Sequence, residues 1–310
     1  MTICVAAICK GVPPNDTIPM VVGAADRMLT AGDIEFEPEQ PKIVPLTTSI
    51  FALLAGDSAL QTEIMQNVYG VVNGRATAQP ANWWKVSEVA DLYSSFYDKA
   101  RSKRAEKAIL TPLRLTHETF LEKQRMLSPE SAHELTAQLQ NFELQASVAA
   151  IFCGVDSSGA HIYVVRDSHV ECRDVVGFAA IGAGDWHSNS QFMFANHTRG
   201  RSFAETLVLI YSAKKRAEVA PGVGEATDMF TVGPFLGHNV YPVGDHVLAT
   251  LKAIYEATKT QIRQSEQKAN QVATDFVAEI LNAAPQTQAA TPSASPTASA
   301  PRAEQSHPAA

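Results

Sequence analysis

Thr2 stands directly behind Met1 and opens a short apolar run, Ile3-Cys4-Val5-Ala6-Ala7-Ile8. Threonine is small enough for Met1 to be trimmed after synthesis. Trimming puts a hydroxyl and a free α-amine on one residue, at the start of a strand. That amine, with an ordinary pKa of about 7.7–8.0, can take the hydroxyl proton near neutral pH and activate a poor nucleophile. The chemistry also needs a cation beside the hydroxyl and amine, an acid to hold the cation, and a backbone N–H for the oxyanion. Three later residues can supply these parts. Asp26 ends the β-type run Val21-Val22-Gly23-Ala24-Ala25, Lys42 stands alone in Pro41-Lys42-Ile43-Val44, and Gly56 closes Ile50-Phe51-Ala52-Leu53-Leu54-Ala55.

The order of these fragments resembles the proteasome-type β-subunits of the N-terminal-nucleophile hydrolases. Thr2 comes first, then Ala24-Ala25-Asp26-Arg27 with Thr30, then Lys42-Ile43, then Leu54-Ala55-Gly56-Asp57. The sixteen positions from Asp26 to Lys42 and the fourteen from Lys42 to Gly56 are also the family's spacings. The opening Thr-x-Cys-Val-Ala is most similar to the bacterial proteasome-related subunits of the Anbu type. The resemblance implies catalytic roles for Thr2, Asp26 and Lys42 and an oxyanion role for Gly56. It implies a substrate channel lined by Thr30, Leu29, Leu54 and Ser58. Two departures accompany it. The stretch from Thr2 to Asp26 is longer than usual, around Gly11-Val12-Pro13-Pro14-Asn15-Asp16. The family's mid-chain Gly-Ser-Gly reads Gly182-Ala183-Gly184 here, and its later acid and serine align with Glu218-Val219-Ala220-Pro221-Gly222. Gly182, Ala183 and Glu218 therefore take the auxiliary positions, and both auxiliary hydroxyls are missing.

Composition narrows the class. A hydrophobic fraction of 45% fits a globular chain, and a net charge of −7 argues against a nucleic-acid surface. The basic clusters Lys99–Lys107 and Lys214–Arg216 read as solvated helix faces. Cys4, Cys9, Cys153 and Cys172 lie in apolar strand-like runs without a Cys-x-x-Cys pair. They are expected as buried small side chains in a reducing cytoplasm, with no structural zinc. The short apolar start lacks a charged region ahead of it, so no secretory signal is expected. No apolar run is long enough for a membrane span. The nine histidines are scattered, with His187 and His197 nearest the expected site, and no metal or other cofactor is expected. Gly222-Val223-Gly224 does not follow a strand as a dinucleotide loop requires.

The elements that must position the site follow from periodicity. Residues 2–10 and 19–26, then 42–46 and 49–56, read as strand pairs covered on both faces. Residues 57–73 switch to helical spacing, with Leu60, Ile64, Val68 and Val71 on one stripe and Asp57 or Ser58 as the N-cap. A second helix starts at Pro80-Ala81-Asn82 and ends at Thr111-Pro112, its apolar face built from Val86, Val89, Tyr93, Phe96 and Tyr97. Trp83 and Trp84 anchor it on the core or on a neighbouring subunit. A helical insertion at 116–142 breaks at Ser128-Pro129. Strands resume at Ser147, turn at Asp156–Gly159, return over His161–Val165, and continue as one β region over Cys172–Ile181. Helices follow at 188–196 and 202–219, a strand at 226–233, and a long helix at 247–281. From Pro285 the composition falls to Ala, Pro, Ser, Thr and Gln, which cannot bury enough surface to fold.

The fold class is α+β, with one domain over 1–284 and a disordered tail over 285–310. The resemblance implies the four-layer αββα sandwich. It implies a cytoplasmic, self-compartmentalising threonine hydrolase that cleaves peptide bonds of unfolded chains inside a homo-oligomeric ring or stacked array. An unfoldase partner would fit but is not specified, and neither nucleic acid nor membrane is a partner. Two alternatives stay open: a non-catalytic assembly subunit, in which Asp26–Lys42 is only an ion pair, and an amidohydrolase acting on a small amide.

Overall fold

A computed structural model describes residues 2–14, 16–31, 34–38, 42–79, 83–233 and 240–283. In chain order the strands and helices are β1 (Ile3–Cys9), β2 (Met20–Ala25), β3 (Leu29–Ala31), β4 (Ile34–Phe36), β5 (Ile43–Pro45), β6 (Ile50–Gly56), α1 (Ser58–Ala78), α2 (Val86–Ala105), α3 (His117–Lys123), α4 (Pro129–Gln140), β7 (Val148–Asp156), β8 (Gly159–Arg166), β9 (His169–Cys172), β10 (Phe178–Gly182), α5 (Asp185–Phe194), α6 (Phe203–Ala217), β11 (Asp228–Val232), β12 (Val240–Pro242) and α7 (Asp245–Ala283). The chain divides into a compact unit, Met1–Ala257, and a second unit, Thr258–Ala310, whose described part is the remainder of α7.

Two five-stranded antiparallel sheets carry the compact unit, ordered β10-β1-β2-β11-β12 and β5-β6-β7-β8-β9. The period-2 alternation of a strand sends its side chains to opposite faces, and here both faces are apolar. From β1, Cys4, Ala6 and Ile8 join Phe51, Leu53, Ile151 and Cys153 in a buried cluster between the sheets. The alternate residues Ile3, Val5, Ala7 and Cys9 pack instead with Phe192 of α5, Ile210 and Ala213 of α6 and Leu251 of α7. On the far side of the second sheet, Ile50, Ala52, Ala150 and Phe152 pack with Ile64 and Val68 of α1 and Val89 and Tyr93 of α2. Each fully buried Ile or Phe in these clusters contributes about 1.5–3 kcal/mol of transfer free energy.

Local sequence sets the helix boundaries. Asp57 caps α1, its carboxylate accepting from the Leu60 N–H at 2.7 Å. Ser128 caps α4 just ahead of Pro129, which breaks the insertion where the sequence places the break. The end of α2 runs into a π-turn at Glu106–Leu110 and a 3-10 turn at Thr111–Leu113, so the helix loosens before Pro112. The start of the second helix at 80–82 and the tail beyond 284 lie outside the described residues.

Four expectations are corrected. Val72, not Val71, completes the α1 stripe, because the buried face runs through Gln61, Ile64, Met65 and Val68 to Val72 and leaves Val71 at its edge, 40% exposed. Cys172–Ile181 is not one β region. It splits into β9 on the second sheet and β10 on the first, separated by the exposed Val175 and Val176. Cys172 is exposed, unlike the other three cysteines. Lys214 is fully buried rather than solvated, because it stands four positions after Ile210 and three before Ala217, on the inward stripe of α6.

Candidate functional site

Thr2, Asp26 and Lys42 come together where β1 begins and β2 ends. The pairing continues one step past the ladder, with the Asp26 N–H donating to the Ile3 carbonyl at 3.1 Å and the Ile3 N–H donating to Asp26 Oδ1 at 3.0 Å. That reciprocal bond fixes the carboxylate beside the preceding residue. The Thr2 hydroxyl donates to Asp26 Oδ1 in a short contact. Lys42, just before β5, donates to Thr2 Oγ1 at 2.5 Å, to Asp26 Oδ1 at 2.9 Å and to the Met28 carbonyl. All three ammonium protons are thereby used.

Burial makes these contacts strong. Asp26 is fully buried, Thr2 is 4% exposed and the Lys42 side chain is 10% exposed. A buried ion pair must recover its desolvation cost through further hydrogen bonds. Asp26 does so on its second oxygen, where Oδ2 accepts from the N–H of Met28 at 3.2 Å and of Gly224 at 3.0 Å. Cys4 lies two residues on, but burial and then the Asp26 charge push its thiol up to about 12, and it donates to the Leu54 carbonyl at 3.5 Å. It is no rival nucleophile at neutral pH.

Gly182 packs against Thr2, and Gly56 ends the facing strand β6. Gly182 pairs with Ile3, and a Cβ there would come 2.2 Å from the Thr2 carbonyl oxygen, with φ at +104°. Only glycine lets the β10 turn lie so close to Thr2. Two cross-sheet contacts give the relative direction of β1 and β6. Phe51 meets Phe230, whose register partner on β2 is Gly23, itself opposite Ala6. Cys4 meets Leu54. Advancing along β6 therefore retreats along β1, which brings the exposed Gly56, at φ +101°, to the level of Thr2. Between Gly56 and the helices, Gln61 is clamped: its amide donates to the Ala55 and Ala149 carbonyls at 2.8 and 3.0 Å and accepts from Tyr93 at 2.9 Å.

The remaining sequence candidates fall around this centre. Ala183 is exposed in the turn after β10. Leu29 and Leu54 are half-buried and Ser58 is exposed at the first position of α1. Thr30 sits on β3 opposite Glu35, its side chain outside what is described. Glu218 does not reach Thr2. It accepts from Lys214 at 2.5 Å and Lys215 at 2.7 Å. Lys214 in turn donates to the Gly224 and Glu225 carbonyls at 2.8 and 2.9 Å. Burial pushes the Lys214 ammonium below its ordinary value, and Glu218 works against that shift. Through Lys214, Glu218 holds the loop whose Gly224 N–H bonds Asp26. Sequence reasoning missed this support, although Gly224 was visible as a glycine outside any strand pattern. A cleft of about 650 Å³ is lined by Asp57, Leu60, Arg104, Lys107, Phe142 and Leu144. Arg104 is paired with Glu63 at 2.7 Å.

A second polar cluster lies on the β7–β8 hairpin. Ser158 Oγ is 2.9 Å from His161 Nε2, and His161 Nδ1 is 2.6 Å from Asp174 Oδ2. Ser158 spends its proton on Asp156 Oδ1 at 2.6 Å, and Asp156 Oδ2 accepts from the Val86 N–H at 3.0 Å. The bond to Asp174 raises the His161 pKa, against burial, which lowers it, and the charges of both aspartates add to the rise. An imidazolium donating from both nitrogens fits this chain of bonds. The arrangement is a strap, not an activated serine. Among the described residues no group of His, Cys, Asp and Glu is arranged to hold a metal ion, and no helix is long and apolar enough to cross a membrane. His187 is exposed, while the buried His197 donates from Nε2 to the Ile8 carbonyl at 3.1 Å.

Searched against protein-family models the chain matches none, and no curated protein sequence matches it.

Proposed function

We propose that this protein is a threonine hydrolase of the proteasome-related kind, in which Thr2 becomes the N-terminal nucleophile once Met1 is removed. The observation that carries the reading is the Thr2 hydroxyl held between the Lys42 ammonium and the buried Asp26 carboxylate. The packing of helices, sheet, sheet and helices around three apolar clusters supports the four-layer αββα sandwich of that family. In this reading Thr2 Oγ attacks an amide carbonyl carbon while its proton passes to the freed Thr2 amine. Lys42 stabilises the developing alkoxide, and Asp26 fixes Lys42 by charge-assisted bonds. The Gly56 N–H meets the oxyanion, an interaction whose loss costs about 10²–10³ in rate. The amine then returns the proton to the leaving nitrogen, and water releases the acyl group from Thr2. The substrates are peptide bonds of unfolded chains, taken up by a homo-oligomeric assembly that encloses the threonines.

The non-catalytic assembly subunit is the second reading, favoured by Ala183 in the auxiliary position and by Glu218 being engaged with two lysines away from Thr2. One experiment separates the two. Intact mass is expected to show loss of Met1, and a β-lactone or peptide epoxyketone is expected to add once per chain, at Thr2. Thr2→Ala removes the adduct and leaves the fold. Retained Met1 in the assembled protein, or labelling that survives Thr2→Ala, overturns the hydrolase. Trimmed protein that never labels supports the assembly subunit.

A further inference from the structure

The distal part of α7 carries an apolar stripe that no described residue of its own unit covers. Every side chain from 258 to 282 is exposed. Yet Ile262, Ala269, Ala273, Phe276 and Ile280 recur at spacings of seven, four, three and four, which places them on one face of a helix. Ile262, Phe276 and Ile280 are 50–61% exposed. In proteins most helical stability comes from packing an amphipathic face against a partner rather than from propensity.

Charge selects the occupant. The first half, 258–270, holds Lys259, Arg263 and Lys268 against Glu266, while the second half holds Asp275 and Glu279 with no cation. A copy running the same way would put like charges together. A copy running the opposite way puts the basic half against the acidic half. Centred near Gln271, it sets Ile262 against Ile280, Ala269 against Ala273, and Lys268 beside Asp275 on one flank. The small residues Ala269 and Ala273 at the middle allow close approach, and Ser265 and Glu266, about one turn before Ala269, interrupt the stripe.

We propose that the distal half of α7 is a self-association element that pairs with the same segment of a second copy in antiparallel orientation. The occupant is a second copy of this chain, not a lipid surface or a different protein.

Cysteine cross-linking of the full-length protein tests it, in a Cys172→Ser background that removes the exposed native thiol. Chains bearing both Ile262→Cys and Ile280→Cys are expected to form covalent dimers under mild oxidation. Either substitution alone is expected to give none, because like positions then lie about 27 Å apart at 1.5 Å per residue. Phe276→Glu in the doubly substituted chain is expected to reduce the covalent dimer at least tenfold. Dimers from each single variant would mean parallel pairing and overturn the orientation. Absence of dimer in the double variant overturns the proposal. If that variant instead co-sediments with anionic phospholipid vesicles and Phe276→Glu abolishes it, the stripe belongs to a lipid surface.

Discussion

Thr2–Asp26–Lys42 and Ser158–His161–Asp156–Asp174 both join a hydroxyl, a cation and carboxylates, in opposite settings. The first sits at the ends of two central strands with its acid fully buried. The second sits on a hairpin, with Ser158 exposed and the His161 and Asp174 side chains 17% and 18% exposed. In the first, the hydroxyl lies between a primary ammonium and a carboxylate that four other groups also hold, three of them backbone N–H groups. In the second, two carboxylates share one imidazole, and the hydroxyl donates to one of them as Thr2 does to Asp26. Residue types alone do not distinguish the two clusters. What differs is the setting: the Thr2 hydroxyl is buried at a strand start between an ammonium and a fully buried carboxylate, whereas the Ser158 hydroxyl is exposed on a hairpin.

The largest expected difference is in what removal of one acid does. Asp26→Ala strands Lys42 and three backbone N–H groups in a dry site, and a loss of about 3–5 kcal/mol is expected from urea unfolding. Asp174→Ala removes bonds from His161 and the Ile162 N–H near the surface, at a cost of about 1–2 kcal/mol. Equal losses would erase the contrast.

A smaller effect concerns the glycines beside each cluster. Gly182→Ala meets both an unfavourable φ and the Thr2 backbone, and about 2–4 kcal/mol is expected. Gly159, at φ +132°, has no atom within 4 Å of an added Cβ, so Gly159→Ala is expected to cost only the conformational strain of about 1–2 kcal/mol. If the two melt alike, Gly182 is not pressed against Thr2.

The smallest effect is a pH response confined to the strap. The His161 pKa is raised in the fold, chiefly by the bond to Asp174. Its stabilisation is therefore complete below the ordinary imidazole value of 6.5 and is lost as pH rises through the raised value. The Asp174 and Asp156 pKa values are lowered. Burial raises both, but for Asp174 the His161 and Ile162 bonds outweigh it, and for Asp156 the Ser158 and Val86 bonds do. Their contribution is present above the ordinary aspartate value of 3.8 and lost as pH falls through the lowered ones. Between about pH 6 and pH 8 wild type is expected to lose about 0.5–1 kcal/mol more than His161→Gln. A His161→Gln curve parallel to wild type would remove the imidazolium from the strap.

How far the sequence carried is clearest residue by residue. The strands that hold Thr2, Asp26 and Gly56 were legible because their apolar runs are long and bounded by turns. The β3–β4 hairpin was not, because three residues per strand give no periodicity, and β12 was hidden by its Pro242. The Asp26–Lys42 partnership came from the spacings of the family resemblance, but the donors from Met28 and Gly224 are backbone groups with no side-chain signature. Lys214 was misread because charge outweighed its place in the stripe. The Ser158–His161–Asp174 chain depends on the end of β9 folding back to β8, which residue counting cannot supply.

The saturation of Lys42 bears on selectivity. Its protons are all engaged, and Asp26 accepts five bonds, so neither group has charge to spare for a visitor. A ligand arriving at this end cannot be sorted by its own charge at that pair. Away from that pair, the cleft lined by Asp57 and Arg104 also includes Lys107, whose exposed side chain makes no hydrogen bond or ion pair among the described residues. On the proposed hydrolase reading, discrimination by side-chain charge is therefore not expected at the Thr2–Asp26–Lys42 centre.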